Sequence, residues 1–171
     1  MRDGLYDLIK LLPTSITMVE IGCFAGESTT MFMSSLKINK LYAVDAWQNG
    51  LDKNDITTVQ YDLEDVEKTF DTNMFDWVVD GKVEKVKGNS LEVYDKFSDN
   101  SLDFIYIDSC HEYGHVKGEL ELYWPKVKVG GIIGGHDYNS CYGGITQAVD
   151  EFFFNGPDKT FCDFSWVKYK G

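Results

Sequence analysis

The sequence predicts an α/β fold with one mostly parallel sheet, and three observations predict it. Strand-like runs recur along the chain with helical stretches between them, the alternation that yields parallel strands joined by crossover helices. Several of these runs are apolar almost throughout, as strands buried on both faces must be. They end in an acid, a glycine or a tryptophan, so chemistry is expected at the carboxyl ends of the strands, where open α/β sheets form their ligand crevice.

The N-terminal stretch "MRDGLYDLIKLLPTSITMVEIG" contains acidic residues and no apolar run of signal-peptide or membrane-span length, and reads as a short docking helix before the first strand. Strands are expected at 16–22 (ITMVEIG), 41–47 (LYAVDAW), 82–88 (KVEKVKG), 102–108 (LDFIYID) and 130–137 (GGIIGGHD). Between the second and third, Val59, Leu63, Val66 and Phe70 are spaced four, three and four apart, which places them on one face of a helix. The acidic loop 49–55 is a candidate lid, weighed against plain solvated surface. After the fifth strand, "GGITQAVDEFFF" reads as a helix and "DKTFCDFSWVKYK" as two short strands closing the sheet with an antiparallel edge. A length of 171 residues suits one buried core, so a single domain over 1–171 is expected.

A net charge of −12 argues against nucleic-acid or anionic-membrane partners, which are held chiefly by Lys and Arg. Cys23, Cys110, Cys141 and Cys162 lie far apart with no C-x-x-C pair, so free thiols in a reducing cytoplasm are expected.

Two motifs carry chemistry. Glu20-Ile21-Gly22-Cys23-Phe24-Ala25-Gly26-Glu27-Ser28 follows a strand and opens a helix, with Ser28 and Thr29 placed to satisfy amides of its first turn. Gly22 and Gly26 let backbone N–H groups approach a ligand, and Asp45, at the end of the second strand, is placed to accept from both hydroxyls of a ribose. The glycine spacing departs from the dinucleotide fingerprint, which disfavours a nicotinamide cofactor. The second motif, His111-Glu112-x-x-His115, matches the zinc-protease pattern. Its context does not: Asp108-Ser109-Cys110 just before it reads as a strand end and helix start, and Gly114 weakens any rigid helical metal site. His115 therefore reads as a helix-surface or partly buried residue.

Taken together, "VEIGCFAGES", "YAVDAW", "VKGNS", "DFIYIDSCHEY" and "KVGGIIGGHDY" resemble the class I S-adenosylmethionine (SAM)-dependent methyltransferases, in particular small O-methyltransferases of the macrocin and rhamnosyl type. The resemblance implies a Rossmann-like three-layer sandwich whose seven-stranded, mostly parallel sheet has an antiparallel last strand. It implies SAM as methyl donor, S-adenosylhomocysteine (SAH) as product, and a hydroxyl of a small molecule, a sugar or related metabolite, as acceptor. Glu20, Gly22 and Gly26 would line the methionine portion of the cofactor, Ser28 its carboxylate end and Asp45 its ribose. Asn89 and Ser90 would sit at the adenine, a role compatible with capping a helix. Ala46 and Trp47 would wall the adenine, with core packing an equal reading for Trp47. Relatives of this type often cover the substrate with extra N-terminal helices; the short segment before the first strand here implies a pocket left open or completed by a second copy in a homodimer.

Within the same resemblance, Asp108, His111, His136 and Asp137 converge beside the cofactor methyl group, with His111 in the first turn of a helix. His111 is the candidate general base, and Asp108, His136 and Asp137 a candidate divalent-metal set, for Mg²⁺ or a softer ion that better suits imidazole. Two other readings use the same residues: a non-haem metal-dependent oxygenase or hydrolase built on His111, His136 and an acid, and a SAM-binding module without catalysis.

Overall fold

The computed structural model describes residues 3–50, 60–139, 141 and 143–171. Its strands are β1 (Ile16–Ile21), β2 (Ile38–Asp45), β3 (Val83–Lys87), β4 (Leu102–Ile107), β5 (Val127–Gly135), β6 (Lys159–Thr160) and β7 (Trp166–Tyr169). They form one seven-stranded sheet in the order β3-β2-β1-β4-β5-β7-β6. The first five pair in parallel, and β7 runs antiparallel to both β5 and β6. The expected fold class, with its antiparallel edge, is the one observed. β2 and β5 each start three residues earlier than their apolar runs suggest, because register pairing carries Ile38–Lys40 and Val127–Val129, segments interrupted by polar residues, into the sheet.

The helices are α1 (Asp3–Leu11), α2 (Glu27–Ser34), α3 (Leu63–Val79), α4 (Ser90–Val93), α5 (Tyr113–Tyr123) and α6 (Gly143–Phe153). Strand side chains alternate between two cores, as period-two geometry requires. Met18, Phe104, Tyr106 and Ile132 face the core containing Leu5, Leu8, Phe32, Phe70 and Met74. Val19, Ile105, Ile107 and Ile133 face the one containing Val116, Leu120, Tyr123, Ala148 and Val149. The sheet is thus covered on both faces, a three-layer sandwich.

Leu63, Val66 and Phe70 are buried along α3, which Asp62 caps by accepting from the Glu64 amide at 3.0 Å. Val59, and the candidate lid from residue 51 on, lie outside the described residues. α5 begins at Tyr113, with Glu112 extended at φ −79°, ψ 132°. His111 therefore lies in the loop before the helix and not in its first turn, a correction with consequences for the site. Among the described residues no helix is long and apolar enough to cross a membrane, and Cys23, Cys110, Cys141 and Cys162 are all free thiols.

Because β1 and β4 are neighbours while the chain leaves them toward opposite edges of the sheet, a crevice opens beyond their carboxyl ends.

Candidate functional site

The glycine loop after β1 is shaped by backbone conformation. Gly22 has φ +86°, and a Cβ there would lie 2.0 Å from the Asp108 carbonyl oxygen, so only glycine lets the ends of β1 and β4 meet. Gly26 has φ +87° and stands at the start of α2 without a side-chain cap. The expected Ser28 and Thr29 caps are not made: the Thr29 hydroxyl donates instead to Glu20 Oε2 at 2.6 Å. Glu20 lies on the same strand face as Met18, beneath α2, because side chains two apart on a strand share a face.

Asp45 braces the loop from the neighbouring strand. Its Oδ2 accepts from the amides of Cys23 and Phe24, each at 2.9 Å, and its Oδ1 from that of Trp47 at 2.8 Å. Burial raises the Asp45 pKa above its ordinary value, against the opposing pull of those N–H groups. Trp47 both lines the cleft and packs in the core: its indole donates to the Phe24 carbonyl at 2.9 Å and its ring lies 4.9 Å from that of Phe70.

A cleft of about 390 Å³ opens over this loop and the ends of β2 and β4. Of the residues singled out in the sequence, Gly22, Ser28, Asp45, Ala46, Asn89, Ser90, Asp108, His111, His136 and Asp137 line it. Glu20 and Gly26 do not: Glu20 is fully buried under α2, and a Cβ at Gly26 would face Met74 Cε at 2.9 Å, away from the crevice. Asn89 caps α4 by accepting from the Leu91 amide at 3.0 Å, and its place in the cleft wall is compatible with that cap.

Four of the lining groups gather at one end. His136 Nδ1 is 3.1 Å from Asp137 Oδ2 and 3.7 Å from Asp108 Oδ1, and His111 Nε2 is 3.2 Å from the same Asp137 oxygen. Burial alone would raise the Asp137 pKa, but hydrogen bonds and attraction from His111 and His136 outweigh it and hold the carboxyl well below the usual range. One donor atom each from Asp108, His136 and Asp137 lies within 4.8 Å of the others, close enough to share a cation. Two carboxylates and one imidazole suit a divalent ion of either character. His111 stands outside that group, although it shares Asp137 Oδ2 with His136.

At the other end is a cluster that sequence reasoning missed. Glu119, on α5, is fully buried, and its Oε1 accepts from the hydroxyls of Ser90 at 2.6 Å and Ser109 at 2.7 Å. His115 Nε2 lies 3.2 Å from the same oxygen and 3.1 Å from Ser90 Oγ. Ser90, Ser109 and His115 all line the cleft. One signal was available: Glu119 interrupts the buried face of Val116, Leu120 and Tyr123, where an acid needs partners. The two histidines of the protease-like pattern thus engage different carboxylates at opposite ends of one cleft. Among the described residues lining it, Glu27, Asp45, Asp108 and Asp137 are acidic and none is Lys or Arg.

Comparison with known proteins agrees with this fold. A family model described as a methyltransferase domain matches residues 19–138. The chain is 28% identical over 133 residues to the uncharacterized protein R132 of Acanthamoeba polyphaga mimivirus, covering 72% of this chain and 52% of that protein. It therefore spans about half the length of that curated relative. Among solved structures, the O-methyltransferase NovP superposes with a TM-score of 0.68 at 19% identity, over 99% of this chain and 77% of that one. A spermidine synthase in complex with the transition-state analogue AdoDATO gives 0.66 at 18% identity, over 98% of this chain and 61% of that one. A SAM-dependent O-methyltransferase from Thermotoga maritima gives 0.59 at 12% identity, over 88% of this chain and 49% of that one. At such identities these structures speak for the fold alone, but the family match spans well over half of the sequence, and the chain belongs to the methyltransferase-domain family.

Proposed function

We propose that this chain is a SAM-dependent O-methyltransferase that methylates a hydroxyl of a small molecule, a sugar or related metabolite, and releases SAH. The observation that carries the reading is one cleft joining a glycine loop braced by Asp45 to the Asp108, His111, His136 and Asp137 cluster. When bound, SAM supplies an electrophilic methyl group on a sulfonium. The chain's own part is to hold the acceptor oxygen in line with that methyl and to take its proton. As the new C–O bond forms and the C–S bond breaks, the hydroxyl proton passes to His111, whose imidazole the Asp137 carboxylate orients. Asp108, His136 and Asp137 would hold a divalent metal, which would supply positive charge beside the acceptor oxygen.

The charge of the site supports the substrate class. A cleft lined by acids, with no Lys or Arg among its described lining residues, suits a cationic sulfonium and a neutral or cationic acceptor.

Calorimetric titration with SAM and SAH, using Asp45→Ala as control, tests the reading. Both ligands are expected to bind wild type, with the variant weakened at least about tenfold by loss of the loop brace and ribose acceptor. Failure of wild type to bind either ligand would sink the cofactor assignment and the activity with it.

A further inference from the structure

The Glu119 cluster points to a role in choosing the base of the cofactor. Four residues from three segments meet there: Ser90 after β3, Ser109 after β4, and His115 and Glu119 on α5. A buried carboxylate can only accept when ionised, and all the hydrogen bonds recorded for Glu119 fall on Oε1, while Oε2 has no hydrogen-bond partner among the described residues. Because the Ser90 and Ser109 protons are both committed to Oε1, neither hydroxyl has a proton to offer the cleft. The Ser90 oxygen can then only accept from His115 Nε2, which fixes the proton on that nitrogen.

The consequence is directional. A serine hydroxyl is ordinarily ambivalent, donor or acceptor as its ligand requires. Here a single buried acid turns two of them the same way, so this wall of the cleft offers lone pairs and no hydroxyl protons. A wall of that polarity matches an amino group on the ligand and opposes a carbonyl, which would leave lone pair facing lone pair in a desolvated site.

We propose that Glu119 is a specificity-determining positioning residue: by consuming the Ser90 and Ser109 protons it makes the cleft select a 6-amino purine over a 6-oxo purine. The inference rests on the cofactor reading above, which places Asn89 and Ser90 at the base. Glu119 touches no ligand itself, being fully buried; it acts through the two serines.

The test compares SAH with S-inosylhomocysteine, which differs by a 6-oxo group and a protonated N1 in place of the 6-amine. Calorimetry on wild type is expected to show SAH preferred by at least about thirtyfold, the range in which a site built for one polarity rejects the other. Glu119→Gln keeps the shape, and with its amide nitrogen in the place of Oε1 it donates to both serine oxygens, which frees their hydroxyl protons to turn toward the cleft; the preference should fall to within about fivefold. Ser109→Ala, a milder change that leaves Glu119 its Ser90 donor, should lower the preference by about threefold to tenfold through the same wall. Wild type binding SAH and S-inosylhomocysteine equally would overturn this inference and leave the cofactor reading standing. Retention of the full preference in both variants would overturn it equally. Binding of neither ligand would remove the inference together with the reading beneath it.

Discussion

His111 and His115 stand four residues apart, each with Nε2 3.2 Å from a carboxylate oxygen, yet the two pairs are built differently. His111 reaches from the loop before α5 to Asp137 beyond β5, and the two side chains stay 15% and 16% exposed. His115 meets Glu119 within one helix, and that acid is wholly shut off from solvent. A pair joining two segments at an open cleft can exchange a proton with whatever enters. One anchored on a buried carboxylate keeps its hydrogen-bond directions, because turning any member strands a charge in low dielectric. The same two residue types therefore suit proton transfer at one end and ligand discrimination at the other.

The sharpest way to break this contrast is to remove each ring in turn. His111→Ala is expected to lower kcat by about 10²- to 10⁴-fold, the usual worth of a positioned general base, while SAH affinity stays within about threefold. His115→Ala should invert the pattern, weakening SAH about tenfold through the loosened Ser90 wall while kcat at saturation changes little. Steady-state kinetics beside calorimetry reads both. If both variants depress the same parameter, the two ends are not distinct.

How much of this was legible beforehand divides along the same line. The glycine loop, Asp45 and the Asp108–His136–Asp137 group could be read because each sits at a strand end, and the alternation of elements alone brings strand ends together. The placement of His111 failed by a small margin: nothing in Ser109-Cys110-His111 marks Glu112, still extended, as the residue after which α5 begins. Glu20 was assigned to the cleft from its neighbourhood, although strand periodicity already put it with Met18 under α2. Glu119 could be marked as an acid on a buried helix face, but what it binds was out of reach for a different reason. Its partners Ser90 and Ser109 lie 29 and 10 residues away, and only the sheet order makes them neighbours.

Asp137 joins both histidines of the reactive end, so its loss should be smaller than that of the base itself but felt in two ways. Asp137→Asn keeps the shape while removing the anion that orients His111 and His136. We expect kcat to fall about 10- to 100-fold. Titration of Mg²⁺ or Mn²⁺ should show weaker binding, since one of two carboxylates in the set is lost. An unchanged kcat would leave His111 acting without its carboxylate.

The loop end of the cleft carries its own pH signature. The Asp45 carboxyl titrates above its ordinary 3.8 because burial disfavours its charge. SAH affinity should therefore fall, by roughly tenfold, as pH drops from 7 through that raised value and the ribose acceptor is lost. The contribution of Asp45 to folding runs the other way: a raised carboxyl pKa stabilises the folded state fully below 3.8 and loses that effect as pH rises through the folded value. Asp45→Asn should bind weakly with a flat profile across the interval. A wild-type profile as flat as the variant's would mean that the ligand does not use this carboxylate.

The smallest effect is expected at Tyr123, and it separates packing from direction within the Glu119 cluster. The buried Tyr123 hydroxyl donates to the Ser90 carbonyl at 3.0 Å, so it supports the same residue that Glu119 orients, but through the main chain. Tyr123→Phe leaves that carbonyl without its donor, a loss of about 1 kcal/mol of stability, seen as a fall of roughly 2–4 °C in Tm. The Ser90 hydroxyl keeps its bond to Glu119, so the preference for SAH over S-inosylhomocysteine should survive within about threefold. If Tyr123→Phe instead erases that preference as completely as Glu119→Gln, the wall owes its polarity to the rigidity of α4 and α5 as a whole, and a single buried carboxylate is not what sets it.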